Sequence, residues 1–318
     1  MVFKRMLGAF GVGAPSVDTV LATPRVLPGG ELRGEVRLKG GDFDAEIERI
    51  TLSLVARAEA EIGEGDAEGV AEFLRVEASG PFTLRTGEDR TVPFQIPMPW
   101  ESPITEVEGQ PLYGMAVGVR TELAIAKAVD KGDLDPLHIA PLPSQEAVLR
   151  AFVALGFRFK SADLEMGHIY GVDQRLPFYQ EIEFYAPGHA PVGEVELTFV
   201  ADPSGMAIVL EADGVHGDDT FGRWHVGHEE ALQRDWAAEI NGWLNAVGQY
   251  GGGFHGGHPD YGHPGYGHPG YGHPDHGYHG GGGLGAAVAA GAAGVAAGFL
   301  AAEAIDEIGD FFEGDEED

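Results

Sequence analysis

The chain has 318 residues, of which 43% are hydrophobic, and it contains no cysteine. It carries 51 acidic residues against 20 lysines and arginines, a formal net charge of −31 at pH 7. The lack of cysteine excludes disulfides and thiolate metal sites. The negative charge argues against nucleic acid as a partner, because binding a phosphate backbone requires a large basic patch. The length predicts about two folded domains.

The first residues resemble a secretion signal only superficially. Lys4 and Arg5 precede an apolar run over residues 6–12, but Gly8 and Gly11 interrupt it. The run is at the lower length limit for such a signal, and strand-like sequence follows directly. We therefore interpret it as a short helix packed on the first domain, and we expect a cytoplasmic protein.

A period-two alternation of apolar and polar residues dominates the chain to about residue 128. The apolar faces of two such strands are formed by Leu32, Gly34, Val36 and Leu38, and by Ile50, Leu52, Leu54 and Ala56. Half-buried strands of this kind need a second sheet to cover them, which predicts a β-sandwich over residues 1–130. The polar segment 130–136 breaks the alternation and marks the predicted domain boundary.

A second, smaller sandwich with accessory helices is predicted over residues 136–247. Its strands are expected at 156–164, 178–185, 194–199 and 206–212. One helix carries a stripe from Val148 to Leu155, with Ser144 as its N-cap and Gly156 as its stop. A second helix of about twenty residues begins near residue 226, with an apolar stripe of Leu232, Trp236, Ile240, Trp243, Leu244 and Val247. The stripe is expected to pack on its own domain; the alternative is an exposed helix that recruits a partner.

The segment 248–283 is a low-complexity linker that is predicted to be disordered. It contains Gly-His-Pro pentads, and its prolines and glycines oppose helix and sheet formation. The pentad histidines His258, His263, His268 and His273 are candidate ligands for weak Zn, Ni or Cu binding. A linker that makes weak multivalent contacts is the favoured interpretation, because no rigid surroundings fix these imidazoles.

Residues 284–318 are predicted to form an association helix followed by an acidic end. The stretch 284–302 has no charged residue, and small residues recur every four positions on one helical face. Such a face favours close helix contact and therefore homo-oligomer formation. The stretch is also just long enough to cross a bilayer, so membrane association is the alternative, although Ala and Gly contribute little insertion energy.

Catalytic motifs are not evident in the sequence, and no cofactor is expected. The segment from His225 to Glu229 lacks the i, i+4 histidine pair of a helical zinc site. Asp213, Asp218 and Asp219 lack the ligand register of a calcium loop. The chain has no cysteine nucleophile, no phosphate-binding glycine loop and no serine elbow.

Dispersed segments over residues 1–212 resemble the bacterial sporulation-control protein family of the arrestin-like superfamily. The matching segments are 3–13, 16–21, 28–36, 46–54, 92–97, 119–125, 135–143, 155–157 and 176–181. The resemblance implies an all-β chain of two arrestin-like sandwich lobes with short accessory helices. It also implies a cytoplasmic regulator of sporulation that binds other proteins. We therefore expect a non-enzymatic adaptor, with a metal-handling protein that uses the histidine-rich tail as the alternative.

Overall fold

The structure is a computed structural model that describes residues 13–62, 65–212, 220–250 and the pair 299–300. The N-terminal run, the pentads and most of 284–318 lie outside the described residues, so the predicted disorder and the oligomer contact are not tested there. None of the helices described is long and apolar enough to cross a membrane.

Strands make up most of the described elements, and the sheets are largely antiparallel, as predicted. The first strands are β1 (Ser16–Leu21), β2 (Arg25–Val26), β3 (Glu31–Lys39), β4 (Ala45–Ile62), β5 (Gly65–Ser79), β6 (Phe82–Leu84) and β7 (Asp89–Pro97). They are followed by β8 (Glu106–Val107), β9 (Gln110–Pro111), β10 (Val117–Ile125), β11 (Lys131–Pro136) and β12 (His138–Ile139). The remaining elements are α1 (Pro143–Leu155), β13 (Arg158–Met166), β14 (Phe178–Tyr185), β15 (Glu194–Ala201), β16 (Gly205–Ala212), β17 (Thr220–Gly227), α2 (His228–Ala231), α3 (Trp236–Tyr250) and β18 (Phe299–Leu300).

The N-terminal lobe is a sandwich of two sheets. Strands β1, β3 and β7 form one sheet, and β5, β4, β10 and β11 form the facing part of an eleven-stranded sheet. The predicted apolar faces meet between them: Leu32, Val36, Ile50, Leu52 and Leu54 are all buried in one core. The period-two alternation therefore places the core of this lobe correctly.

The C-terminal lobe is built on the antiparallel meander β13 to β17, with helices on one face. Buried side chains of α1 and α3 share a core with this face, so the predicted stripe packs on its own lobe. The long second helix is interrupted: α2 and α3 are separate, and Leu232 between them is exposed. Asp235 starts α3 as its cap, since its Oδ1 accepts the N–H of Ala238 at 3.0 Å.

The start of α1 differs from the sequence prediction. Leu142 is the N-cap residue, and Pro143 occupies the first helical position, where the absent N–H costs nothing. The side chain of Gln145 reaches back to accept the N–H of Leu142 at 2.8 Å. Ser144 lies inside the helix instead of capping it, and Gly156 ends the helix with a φ of 89°, as predicted.

The two lobes share one sheet and exchange core residues. β4 and β13 meet in a parallel pairing of Glu59 with Glu165. Leu164, Leu176 and Phe178 from beyond the predicted boundary pack into the N-terminal core. Residues from before the boundary enter the C-terminal core in return, namely Ile104 and Leu112. We therefore expect the lobes to unfold together.

A short strand near the C-terminus differs from the helix predicted over 284–302. Phe299 pairs with Ala71 and Leu300 with Val70, which adds β18 antiparallel to β5. The edge of β5 offers backbone groups to an extended segment, and this pairing replaces helical hydrogen bonds at these two residues. The rest of 284–302 lies outside the described residues.

Three aspartates meet at one seam between the sheets of the N-terminal lobe, where β1 lies beside β11. The N–H of Thr19 crosses the seam to Oδ2 of Asp133 at 2.6 Å. Burial, together with the charges of Asp133 and Asp18, raises the pKa of Asp135 from 3.8 to about 7. The seam therefore holds a carboxylate that is costly to ionise.

The Asp135→Asn substitution should make the protein more stable above pH 7. Because the folded pKa is raised, the native protein binds more protons than the unfolded chain between about pH 4 and 7, and its stability falls as the pH rises through that interval. The gain at pH 8 should be on the order of 1–2 kcal/mol, after discounting for solvent screening. Urea unfolding at pH 4 and pH 8 measures it, with the exposed Asp173→Asn as control. Equal gains at both pH values would contradict the assignment.

Candidate functional site

The outward face of the C-terminal sheet, opposite the helices, carries a group of carboxylates on neighbouring strands. Along β13 to β16 the residues that face the helices are apolar, whereas the opposite face carries both acids and the apolar Val200, Ala207 and Val209, and Glu211 on it is buried. We call five of these residues the acid band: Asp163, Glu165, Glu181, Glu196 and Glu211. The strand register places acids opposite one another, with Asp163 across from Glu181 and Glu196 across from Glu211. Like charges in such positions destabilise a sheet, which makes the band a candidate for function.

The carboxylates of the acid band form two groups of three, and the members of each group lie close enough to share one cation. One oxygen from each of Asp163, Glu165 and Glu181 lies within 4.8 Å of the other two. Glu181, Glu196 and Glu211 form a second such group around the same central residue. Oxygen-rich groups of this kind suit a hard divalent cation or the ammonium or guanidinium group of a bound side chain.

Burial and crowding oppose ionisation at the centre of the acid band. Burial, followed by the charges of Glu196 and Asp163, raises the pKa of Glu181 well above its usual range. Burial and the neighbouring acids also raise the pKa of the Tyr179 hydroxyl. Beside the band, the Lys160 ammonium lies 2.6 Å from Glu194 and 3.4 Å from Glu183. The centre of the band therefore favours a protonated Glu181, and an incoming cation would favour its ionised form instead.

The apolar periodicity of the sequence did not predict the acid band, although the sequence contains a signal for it. Acids stand two positions apart in three strands of the structure: at 163 and 165, at 181 and 183, and at 194 and 196. That spacing places both members of each pair on one sheet face. The register that brings the three pairs together is a non-local property, and the alternation alone does not supply it.

Polar side chains lock the two lobes against each other. Gln180 on β14 accepts the N–H of Ile104 at 2.9 Å and donates to the same residue's carbonyl at 2.7 Å. The carboxylate of Glu101 accepts the backbone N–H groups of Arg175 and Leu176 at 2.8 to 2.9 Å. These contacts fix the position of the C-terminal sheet, and therefore of the acid band, relative to the N-terminal lobe.

His228, in the segment from His225 to Glu229, makes structural contacts at the start of α2. Its Nε2–H donates to the carbonyl of Asp202 at 2.8 Å, and its Nδ1 bonds the hydroxyl of Ser144 at 2.8 Å. The imidazole also stacks on Trp100, with ring centroids 5.5 Å apart. The two ring nitrogens therefore join α2 to α1 and to the turn between β15 and β16, and the stacking on Trp100 adds a contact to the loop after β7.

The predicted metal ligands His258, His263, His268 and His273 lie outside the described residues, so the structure does not place them. The same holds for Asp213, Asp218 and Asp219. Within the described residues, the groups with metal-ligand spacing are the two carboxylate sets of the acid band.

Comparisons with known proteins identify the family. The model of the SpoOM protein family matches residues 3–216. The sporulation-control protein spo0M of Bacillus subtilis (strain 168) is 34% identical over 214 residues, which are 66% of this chain and 80% of that protein. The crystal structure of Spo0M from Bacillus subtilis superposes with a TM-score of 0.66 at 29% identity, covering 74% of this chain and 99% of that one. The chain therefore belongs to the SpoOM family of sporulation-control proteins.

Proposed function

We propose that this protein regulates sporulation in the cytoplasm as a non-enzymatic adaptor that binds other proteins through its lobes. The observation that carries the proposal is the acid band. Five carboxylates are crowded on one sheet face, and the polar contacts described above hold that face rigidly against the N-terminal lobe.

The acid band suits a lysine- or arginine-bearing segment of a partner protein. The pKa of Glu181 is raised, so it is costly to ionise this carboxyl group beside Glu196 and Asp163. A cationic side chain that enters the band offsets this cost and forms charge-assisted hydrogen bonds with the carboxylates. Complementary charge of this kind gives an interface specificity and a faster association rate.

Binding to a short oligolysine peptide tests the proposed surface directly. The variant Glu181→Gln/Glu196→Gln removes two carboxylates from the acid band. The variant Glu31→Gln/Glu35→Gln removes the same charge from β3 in the other sheet and serves as the matched control. We expect the band variant to lose most of its affinity and the control to keep it. Equal losses would mean that the peptide responds only to the net charge, and the proposed surface would be rejected.

Capture from lysates of sporulating cells tests the adaptor function with natural partners. Proteins that bind the wild-type chain and the β3 control, but not the band variant, are the expected partners. Reciprocal capture should then recover the full chain. A partner set that is unchanged by the band substitutions would place the interaction elsewhere on the protein.

Metal handling by the tail is the second candidate function, and the pentad histidines favour it. His258, His263, His268 and His273 recur every five residues, and each is followed by proline. Calorimetric titration with Zn²⁺ should show weak binding by the full chain, which the fourfold His→Asn variant should abolish. Capture of partners by that variant should be unchanged if the tail and the lobes act separately. Zinc binding that is unchanged in the fourfold variant would reject metal handling by these histidines.

A further inference from the structure

Strand β5 is the outer strand of the N-terminal part of the large sheet. On one side it pairs with β4 along its length, from Ile50 opposite Ser79 to Ile62 opposite Gly65. On its other side, within the described residues, it pairs only with β18. A long edge strand of this kind presents unpaired N–H and C=O groups to any extended segment.

The point of contact has a distinctive sequence. Gly69, Val70 and Ala71 form an uncharged stretch of β5 between Glu68 and Glu72. Val70 and Ala71 are 2% and 1% exposed. Both side chains pack in apolar clusters, so this part of the edge suits an uncharged apolar segment, whereas the neighbouring Glu72 is ion-paired with Arg75 and Arg120.

A segment near the C-terminus matches these requirements. Residues 284–302 are uncharged, and Phe299–Leu300 is their pair of adjacent bulky side chains. The following residues, 303–318, include nine acids, and placing their charges on this apolar part of the edge would cost desolvation free energy. The register agrees with this choice, since the uncharged pair lies opposite Ala71 and Val70.

We propose that the outer edge of β5 around Val70 and Ala71 is an acceptor site for an extended, uncharged apolar strand, and that the chain's own segment around Phe299–Leu300 occupies it in cis. The main-chain hydrogen bonds of strand addition supply the affinity, and the uncharged stretch supplies the selectivity. An external strand of the same kind binds only after it displaces this segment. This proposal does not involve the acid band, so the failure of either proposal would leave the other unaffected.

A disulfide cross-link tests the cis pairing. The chain contains no cysteine, so the full-length double variant Ala71→Cys/Phe299→Cys has a single thiol pair. Directly paired antiparallel residues have Cα atoms about 4.5 to 5.5 Å apart, which is within disulfide range. We expect oxidation to give a cross-linked monomer. The control Thr91→Cys/Phe299→Cys places the first thiol on β7 of the other sheet and should stay uncross-linked.

Two outcomes of the cross-linking would overturn the cis arrangement. A disulfide-linked dimer would make a second copy of the chain the occupant. Cross-linking no faster than in the Thr91 control would mean that the segment does not lie on β5.

Peptide binding tests whether the acceptor site is exchangeable. The probe is a labelled peptide with the sequence of residues 296–302, and its binding is measured by fluorescence anisotropy. In the Leu300→Pro variant the tethered strand lacks an N–H and should leave the edge. A tethered segment acts at a high effective concentration, so the peptide should bind this variant at least about tenfold more tightly than the wild type.

The Val288→Pro variant is the matched control, because it places proline in the same uncharged stretch away from the pairing. Its affinity for the peptide should equal that of the wild type. Equal affinity in the Leu300→Pro variant and the wild type, or no binding to either, would overturn the acceptor site.

Discussion

The Gly114→Ala substitution should destabilise the protein by at least about 3 kcal/mol. Gly114 has a φ of 97°, and an added Cβ would lie 2.0 Å from the carbonyl oxygen of Ala162. That oxygen belongs to the backbone of β13, so the clash is not relieved by a side-chain rotation. The neighbouring carbonyl of Tyr113 accepts the N–H of Ala162 at 3.0 Å, and this junction between the lobes would be forced apart.

Guanidinium unfolding measures this loss, and Gly109→Ala is the matched control. Gly109 also has a positive φ, of 78°, but an added Cβ would meet nothing within 4 Å. Its substitution should cost only about 1 kcal/mol, which is the backbone strain alone. Equal losses in the two variants would mean that the close approach of Gly114 to β13 does not contribute.

The Phe152→Ala substitution should cost about 3–5 kcal/mol. Phe152 is fully buried in α1, and its ring lies 4.7 Å from the rings of both Phe157 and Phe184. Its removal leaves a cavity between α1 and the meander that these rings cannot fill without leaving their own contacts. The next residue, Val153, is 70% exposed, and Val153→Ala should change the stability by less than about 0.5 kcal/mol.

The same Phe152 variant reports on the coupling between the lobes. Leu164 and Phe178 belong to the N-terminal core, so loosening the meander should also loosen the sandwich. Hydrogen exchange at the amides of β3 and β10 should therefore accelerate together with exchange at β14 and β15. Unchanged protection in β3 and β10 would mean that the lobes unfold independently.

The sandwich of the N-terminal lobe could be predicted because its strands are half-buried. In such strands every second residue faces the core, so Leu32, Val36, Ile50 and Leu52 reveal both the element and its inner face. The end of α1 was predictable for a similar local reason, since Gly156 adopts the left-handed conformation that glycine tolerates best.

Features that depend on distant residues could not be predicted in this way. The pairing of Glu59 with Glu165, the interlobe contacts of Gln180 and the register of the acid band join segments far apart in the chain. The period of the apolar residues and the secondary-structure propensities are local quantities, so they carry no information on such pairings. The break before α3 is different, because Asp235 is a good N-cap residue and the signal was present.

The exchange of core residues between the lobes has a consequence for synthesis on the ribosome. Chains generally begin to fold from the N-terminus as they emerge. Here the N-terminal sandwich cannot complete its core until Leu164, Leu176 and Phe178 have left the exit tunnel. Until then, the apolar surface that these side chains cover stays open to solvent. A nascent chain that stalls between β11 and β14 should therefore be a substrate for chaperones. This holds even though all strands of the two N-terminal sheets have already been synthesised.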